Sequence, residues 1–144
     1  MAFYRATSSM GGGSNGLFGT LFPSVSGTFS TYVMANMFDD DDTTFWIGYG
    51  QTSYVYLENM PNQNVAKIKL RPSNYDNSNY TMNIVISGSN TSTSSGLVQI
   101  ASLSCKYSDG LQEVSVNSSY KYFVITVSNT VAGYYGGLAR LQAE

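Results

Sequence analysis

The chain reads as all-β, a β-sandwich or a barrel of about eight short strands, and three observations predict this. Apolar and polar residues alternate with period two through most of the sequence from residue 53 onward. Polar segments rich in Gly, Ser and Asn separate those runs at short intervals. Only 11% of the 144 residues are charged, and no window of useful length shows the periodicity of a helix. One domain of this length can bury a core without disulfides.

Residues 1–27 read differently from the rest, as a flexible Gly/Ser-rich N-terminal arm. Its glycine run, 11–16, separates the apolar islands Phe3-Tyr4 and Leu17-Phe18 with Leu21-Phe22. No G-K-[ST] closes that run, so it is not a phosphate loop. The segment is either a floppy leader or an arm whose aromatic residues dock on a partner subunit.

Residues 32–46, YVMANMFDDDDTTFW, organise the remainder of the chain. They hold an aliphatic-aromatic segment, four consecutive aspartates and the only tryptophan. Adjacent carboxylates repel, and burying them raises their pKa values unless a cation or several N–H donors compensate. This is a polar turn held against an apolar anchor, with Trp46 as the core residue.

The strands come next in order. In 53–57, Tyr54 and Tyr56 point one way and Val55 and Leu57 the other. After the turn NMPNQN, residues 65–70 place Val65, Lys67 and Lys69 opposite Ala66, Ile68 and Leu70, and Pro72 ends the run. In 80–87, Tyr80, Met82, Ile84 and Ile86 share a face. The tract SGSNTSTSSG is loop. Residues 97–103 and 112–116 flank the turn SDG, 120–128 is the most β-prone stretch, and 138–142 is a last strand after the loop AGYYGG.

Composition removes several function classes. The net charge is −2, and the seven basic residues are scattered, so no phosphate-tracking surface for nucleic acid forms. With no histidine, Ser-His and Cys-His catalysis and imidazole zinc sites are excluded. The single cysteine, Cys105, reads as a small buried hydrophobe. Residues 1–16 lack the apolar core of a secretory signal, so synthesis in the cytoplasm without conventional export is expected. No stretch approaches the roughly 20 apolar residues of a membrane span, and no membrane insertion is expected. The N-x-[ST] sequons at Asn79, Asn90 and Asn117 read as chance in a chain rich in Ser, Thr and Asn. The aspartates are adjacent on one turn, whereas catalytic carboxylates face each other roughly 5 Å or more apart, so no enzyme activity is expected.

Ala35, Phe38, Asp39, Asp41, Thr44 and Trp46 stand in an A-x-x-F-D-x-D…T-x-W order. After them come YVYLENMPNQNVAKIKL, the segment 80–90, YKYFVITVS and LARLQ. This succession, over residues 32–142, resembles the discoidin, or coagulation factor type C, family, also called galactose-binding-domain-like. The resemblance implies a jelly-roll-like antiparallel β-sandwich over residues 28–144 with binding loops crowded at one end. It also implies a calcium site built on Asp39, Asp41, Asp42 and Thr44. Where the family has an acidic residue in the last strand, this chain has Arg140, whose guanidinium can pair with an aspartate and replace the ion. Either calcium or an arginine brace is therefore expected, with no other cofactor.

Sugar-binding members use an aromatic platform, an arginine and often a histidine. The matching candidates are Arg71, Asn74, Tyr75, Tyr134 and Tyr135. For Arg71 a strand-end salt bridge is the other reading, and for the two tyrosines a packed loop or subunit contact. The expected function is a non-catalytic binding or assembly protein. A lone discoidin-like domain of this composition suggests an exposed virion component of phage type (capsid-decorating, fibre or baseplate), contacting other virion or self subunits through its arm. The alternative is a stand-alone lectin-like module for cell-surface glycans.

Overall fold

Period-two alternation becomes strand wherever one face of the run can be buried. In the computed structural model, which describes residues 21–60, 62–75 and 77–144, nine strands among the described residues pair antiparallel into two sheets. The five-stranded sheet runs β1 (Leu21–Val25), β3 (Thr52–Asn59), β8 (Tyr122–Asn129), β5 (Met82–Ser89), β6 (Val98–Cys105). The four-stranded sheet runs β2 (Trp46–Ile47), β9 (Gly137–Ala143), β4 (Val65–Pro72), β7 (Gln112–Ser118). The fold is the all-β sandwich expected.

The core lies between the sheets. Val55 and Leu57 of β3, Ile84 and Ile86 of β5, and Phe123, Ile125 and Val127 of β8 face Ile68 and Leu70 of β4 and Leu141 of β9. Trp46 is fully buried among them, its backbone paired with Leu138 and its indole N–H donating to the Gly27 carbonyl at 3.0 Å. A 3-10 turn, Met34–Met37, seals one side by burying Met37 and, at its end, Phe38. Cys105 is buried, and desolvation, then the Asp109 charge, push its thiol up to about 11.

Three sequence expectations are corrected in detail. Leu21–Val25, assigned to the arm 1–27, is strand β1; it pairs with β3 from Leu21↔Asn59 to Val25↔Val55, and Leu21 is fully buried. A run of only five residues beside a glycine-rich segment carried too little alternation to show this. The rest of the proposed arm, residues 1–20, lies outside the described residues. Val65 points into the core with Ile68, not outward with the lysines. Ala66 and Lys67 both donate to the Glu144 carbonyl, at 2.7 and 3.3 Å, a β-bulge that adds one residue and flips the face. Tyr120 precedes β8 instead of opening it.

Topology gathers the loops at two poles. The segment between β1 and β2 and the β2–β3, β4–β5, β6–β7 and β8–β9 connections share one pole. The β3–β4, β5–β6 and β7–β8 connections share the other. Truncating Leu21 tests the corrected boundary. Leu21→Ala should lower unfolding free energy by about 3 kcal/mol in a denaturant titration, whereas an unattached arm residue would leave the midpoint unchanged.

Candidate functional site

The acidic turn is closed by its own hydrogen bonds and by two arginines. The Asp39 carboxylate accepts from the Asp41 backbone N–H at 3.0 Å and from the Thr44 hydroxyl, while Asp40 takes a positive φ of 60°. The Asp41 carboxylate accepts the Thr43 hydroxyl and, at 2.9 Å, the Thr43 backbone N–H. Those bonds, the hydroxyl first, hold its pKa below the usual value.

Asp42 does different work. Arg71 of β4 and Arg140 of β9 stand directly opposite one another on neighbouring strands, where like charges repel. Asp42 lies between them, accepting from Arg140 Nε and Arg71 Nη1, each at 2.8 Å. Arg140 also donates to the Asp40 carbonyl at 2.8 Å. The Arg71 Nε donates to the Tyr107 carbonyl at 3.0 Å, and its guanidinium carbon sits 3.8 Å from the centre of the Tyr107 ring.

Calcium needs six to eight oxygens. Here one carboxylate bridges two guanidiniums and two others are occupied by loop donors. Among the described residues, no three Asp, Glu, Cys or His side chains gather as a metal set. The donor set of Asp39, Asp41, Asp42 and Thr44 does not fit calcium.

Beside this braced turn the same pole carries an aromatic array. Phe29, Tyr32, Phe45, Tyr49, Tyr75 and Tyr135 form one connected group of rings. Tyr32 lies 4.6 Å from Tyr75 and 5.5 Å from Phe45, and Phe29 meets Tyr135 edge-on at 5.2 Å. Tyr134 pairs separately with Tyr80 at 4.9 Å. A cleft of about 240 Å³ opens there, lined by Phe29, Ile47, Tyr75, Gly133, Tyr134 and Tyr135. Tyr49 is 72% exposed and presents its ring to solvent beside the cleft.

The walls are fixed by backbone approach and amides. Gly136 and Gly137 let the chain entering β9 press against β8 and β2. A Cβ at Gly136 would lie 2.2 Å from the Val127 carbonyl oxygen, and one at Gly137 would lie 2.4 Å from the Trp46 carbonyl oxygen. Gln51 and Asn129 exchange hydrogen bonds at 2.9 Å, and the buried Asn129 side chain holds the Tyr135 carbonyl and the Val131 N–H.

Of the sugar-contact candidates, Tyr75, Tyr134 and Tyr135 come together at the cleft. Arg71 does not; it is spent on Asp42 and Tyr107. Asn74 precedes Tyr75 in the chain without lining the cleft. Sequence reasoning missed Phe29 and Tyr49 as site residues and took Tyr32 and Phe45 only as part of the anchor stretch. Their signal was present, since aromatic residues in turn-rich segments have no strand face to pack on.

No family model matches the chain, and no curated protein matches its sequence. Solved structures do share its architecture. It is similar to a pectin-binding carbohydrate-binding module, with TM-score 0.68 and 21% identity over 85% of this chain and 88% of that one. It is also similar to chitosan-binding module 1 from a chitosanase/glucanase of Paenibacillus sp. IK-5, with TM-score 0.67 and 14% identity over 98% of each chain. A third is a family 32 carbohydrate-binding module of C. perfringens in complex with galactose, with TM-score 0.65 and 13% identity over 85% of this chain and 92% of that one. At these identities the likeness establishes the fold, and it agrees with the galactose-binding-like sandwich expected from the motif order. Nothing among these structures supports the virion-component expectation.

The arginine brace has two measurable consequences. Asp42→Ala leaves two facing guanidiniums with only the more distant Asp40 carboxylate beside Arg140, at 3.8 Å, and should cost about 2 kcal/mol, discounted for partial exposure. Replacing Arg140 by Leu in the same variant should recover part of that loss, read by thermal denaturation. Adding millimolar calcium or a chelator should leave the melting midpoint in place, because a ligand raises it only by binding the native state; a calcium-dependent rise would show that an ion is held there.

Proposed function

We propose that the chain is a non-catalytic carbohydrate-binding module whose aromatic cleft takes a neutral sugar. The observation that carries this is the lining itself: aromatic rings and tyrosine hydroxyls at the open end of a rigid sandwich, with no charged side chain among them. The C–H faces of a pyranose lose little on leaving water and stack on rings, while its hydroxyls find phenolic partners. Among the described residues, no protein group bonds the hydroxyls of Tyr75, Tyr134 or Tyr135, so they keep their hydrogen-bonding capacity for a ligand.

The three similar modules, which bind pectin, chitosan and galactose, support carbohydrate as the general ligand class. The lining narrows it. A uronate carboxylate would meet no lysine or arginine in the cleft, and an amino sugar no carboxylate, so burying either charge would go uncompensated. Neutral sugars fit best. No carboxylate lines the cleft to act on a glycosidic bond, in keeping with binding without cleavage.

Calorimetric titration with neutral oligosaccharides tests this reading. Tyr75→Ala should weaken binding at least about tenfold, and Tyr134→Phe, which removes only a hydroxyl, severalfold. Raising sodium chloride should change affinity little, because no ion pair forms. Failure of every neutral sugar to bind, or binding indifferent to Tyr75→Ala, would overturn the proposal.

A further inference from the structure

The opposite pole also carries a shaped cleft, of about 280 Å³, lined by Asn64, Asn90, Asn117, Ser118, Ser119 and Tyr120. Its chemistry differs from the aromatic cleft: three carboxamides and two hydroxyls beside one ring, again with no charged group in the lining. The loops that form it are tied down from within. The fully buried Asn59 donates from one amide to the Gln63 and Tyr120 carbonyls, at 2.9 and 3.0 Å, joining the β3–β4 and β7–β8 loops. Asn62 adds a bond to the Ser119 carbonyl at 3.0 Å.

The third wall, the serine tract, is also ordered. The buried Ser89 hydroxyl donates to the Ser95 carbonyl at 2.7 Å and accepts the Thr91 N–H at 3.0 Å. Asn90 then accepts the Lys121 N–H at 3.0 Å, which leaves its NH₂ group for the cleft. The Tyr120 ring rests where a Cβ on Gly88 would lie, 2.2 Å from the ring, so only glycine permits that pose. Asn117 takes a positive φ of 41°, a strained conformation for a residue with a side chain. Among the described residues, its amide makes no hydrogen bond within the protein, and neither does that of Asn64.

We infer that this far-pole cleft is a second saccharide site, for a neutral sugar bound edge-on through vicinal hydroxyls. A carboxamide offers a donor and an acceptor side by side, matching adjacent hydroxyls that each give and take one bond. Preordered loops lower the entropy lost when those bonds form. A module with a site at each pole bridges two glycan chains, or two points on one. The inference shares the ligand class proposed for the aromatic cleft and nothing else.

Backbone amide NMR of the full chain, titrated with millimolar galactobiose, cellotriose and mannotriose, tests it. The amides of residues 117–120 and of Asn64 should shift with at least one sugar, and should still do so in Tyr75→Ala. The double variant Asn64→Ala/Asn117→Gly keeps the positive φ accessible and should weaken the far-pole response at least about tenfold without moving the near-pole one. Shifts confined to the aromatic pole overturn the second site and leave the first. Far-pole shifts insensitive to the double variant also overturn it. Shifts at the far pole alone uphold this inference and count against the aromatic cleft.

Discussion

A single carboxylate, Asp42, holds two strands and a loop together. Antiparallel pairing of β4 with β9 puts Arg71 opposite Arg140, a repulsive arrangement that the sheet tolerates because Asp42 sits between the guanidiniums. The consequence runs outward in both directions. The acidic turn is drawn over the outer face of the four-stranded sheet, and Trp46, a few residues later, enters the core beside Leu138. The same guanidinium of Arg71 pins Tyr107 and so the β6–β7 connection. A feature that looks like a metal site in sequence is an ion-pair hub in space.

The same logic of internal satisfaction shapes both poles. Each has a buried asparagine at a strand end, Asn129 at one and Asn59 at the other, whose amide replaces the ladder bonds that stop there. Buried carboxamides are costly unless every donor is used, and here no buried side-chain polar atom among the described residues lacks a partner. The loops are therefore rigid for a reason independent of any ligand, and a rigid loop can present side chains that are not themselves satisfied.

Much of the fold was legible because period-two alternation reports burial directly. Ile84, Ile86, Ile125 and Val127 need no further information to be placed in a core. Val65 was misplaced because a bulge is a two-strand event: Ala66 and Lys67 share the carbonyl of Glu144, at the far end of the chain. Strand β1 was hidden by its shortness, since Leu21 and Pro23 are its only buried positions. The site was legible only in part. Tyr75, Tyr134 and Tyr135 stood out as loop aromatics; Phe29 and Tyr49 carry the same local signal, but that they join the others depends on packing between distant loops. Arg71 was ambiguous for the same reason, because its alternatives differ only in which loop folds over it.

The distribution of charge separates binding from general stickiness. Lys67 and Lys69 are paired with Glu113 and Glu144 across the outer face of the four-stranded sheet, and Arg71 and Arg140 with Asp42. Four of the six basic residues among the described ones, Lys67, Lys69, Arg71 and Arg140, are thereby paired on one face. The two clefts are left without a charge in their linings. A neutral ligand of the kind proposed would gain nothing from long-range steering and would be held by contact alone, through ring faces at one pole and amides at the other. When both engage one flexible glycan, the second contact forms at the high local concentration set by the first. On the proposed reading, two such clefts at opposite ends of one sandwich would favour crosslinking separate chains over doubling up on a short one, because a short chain cannot span the distance between them.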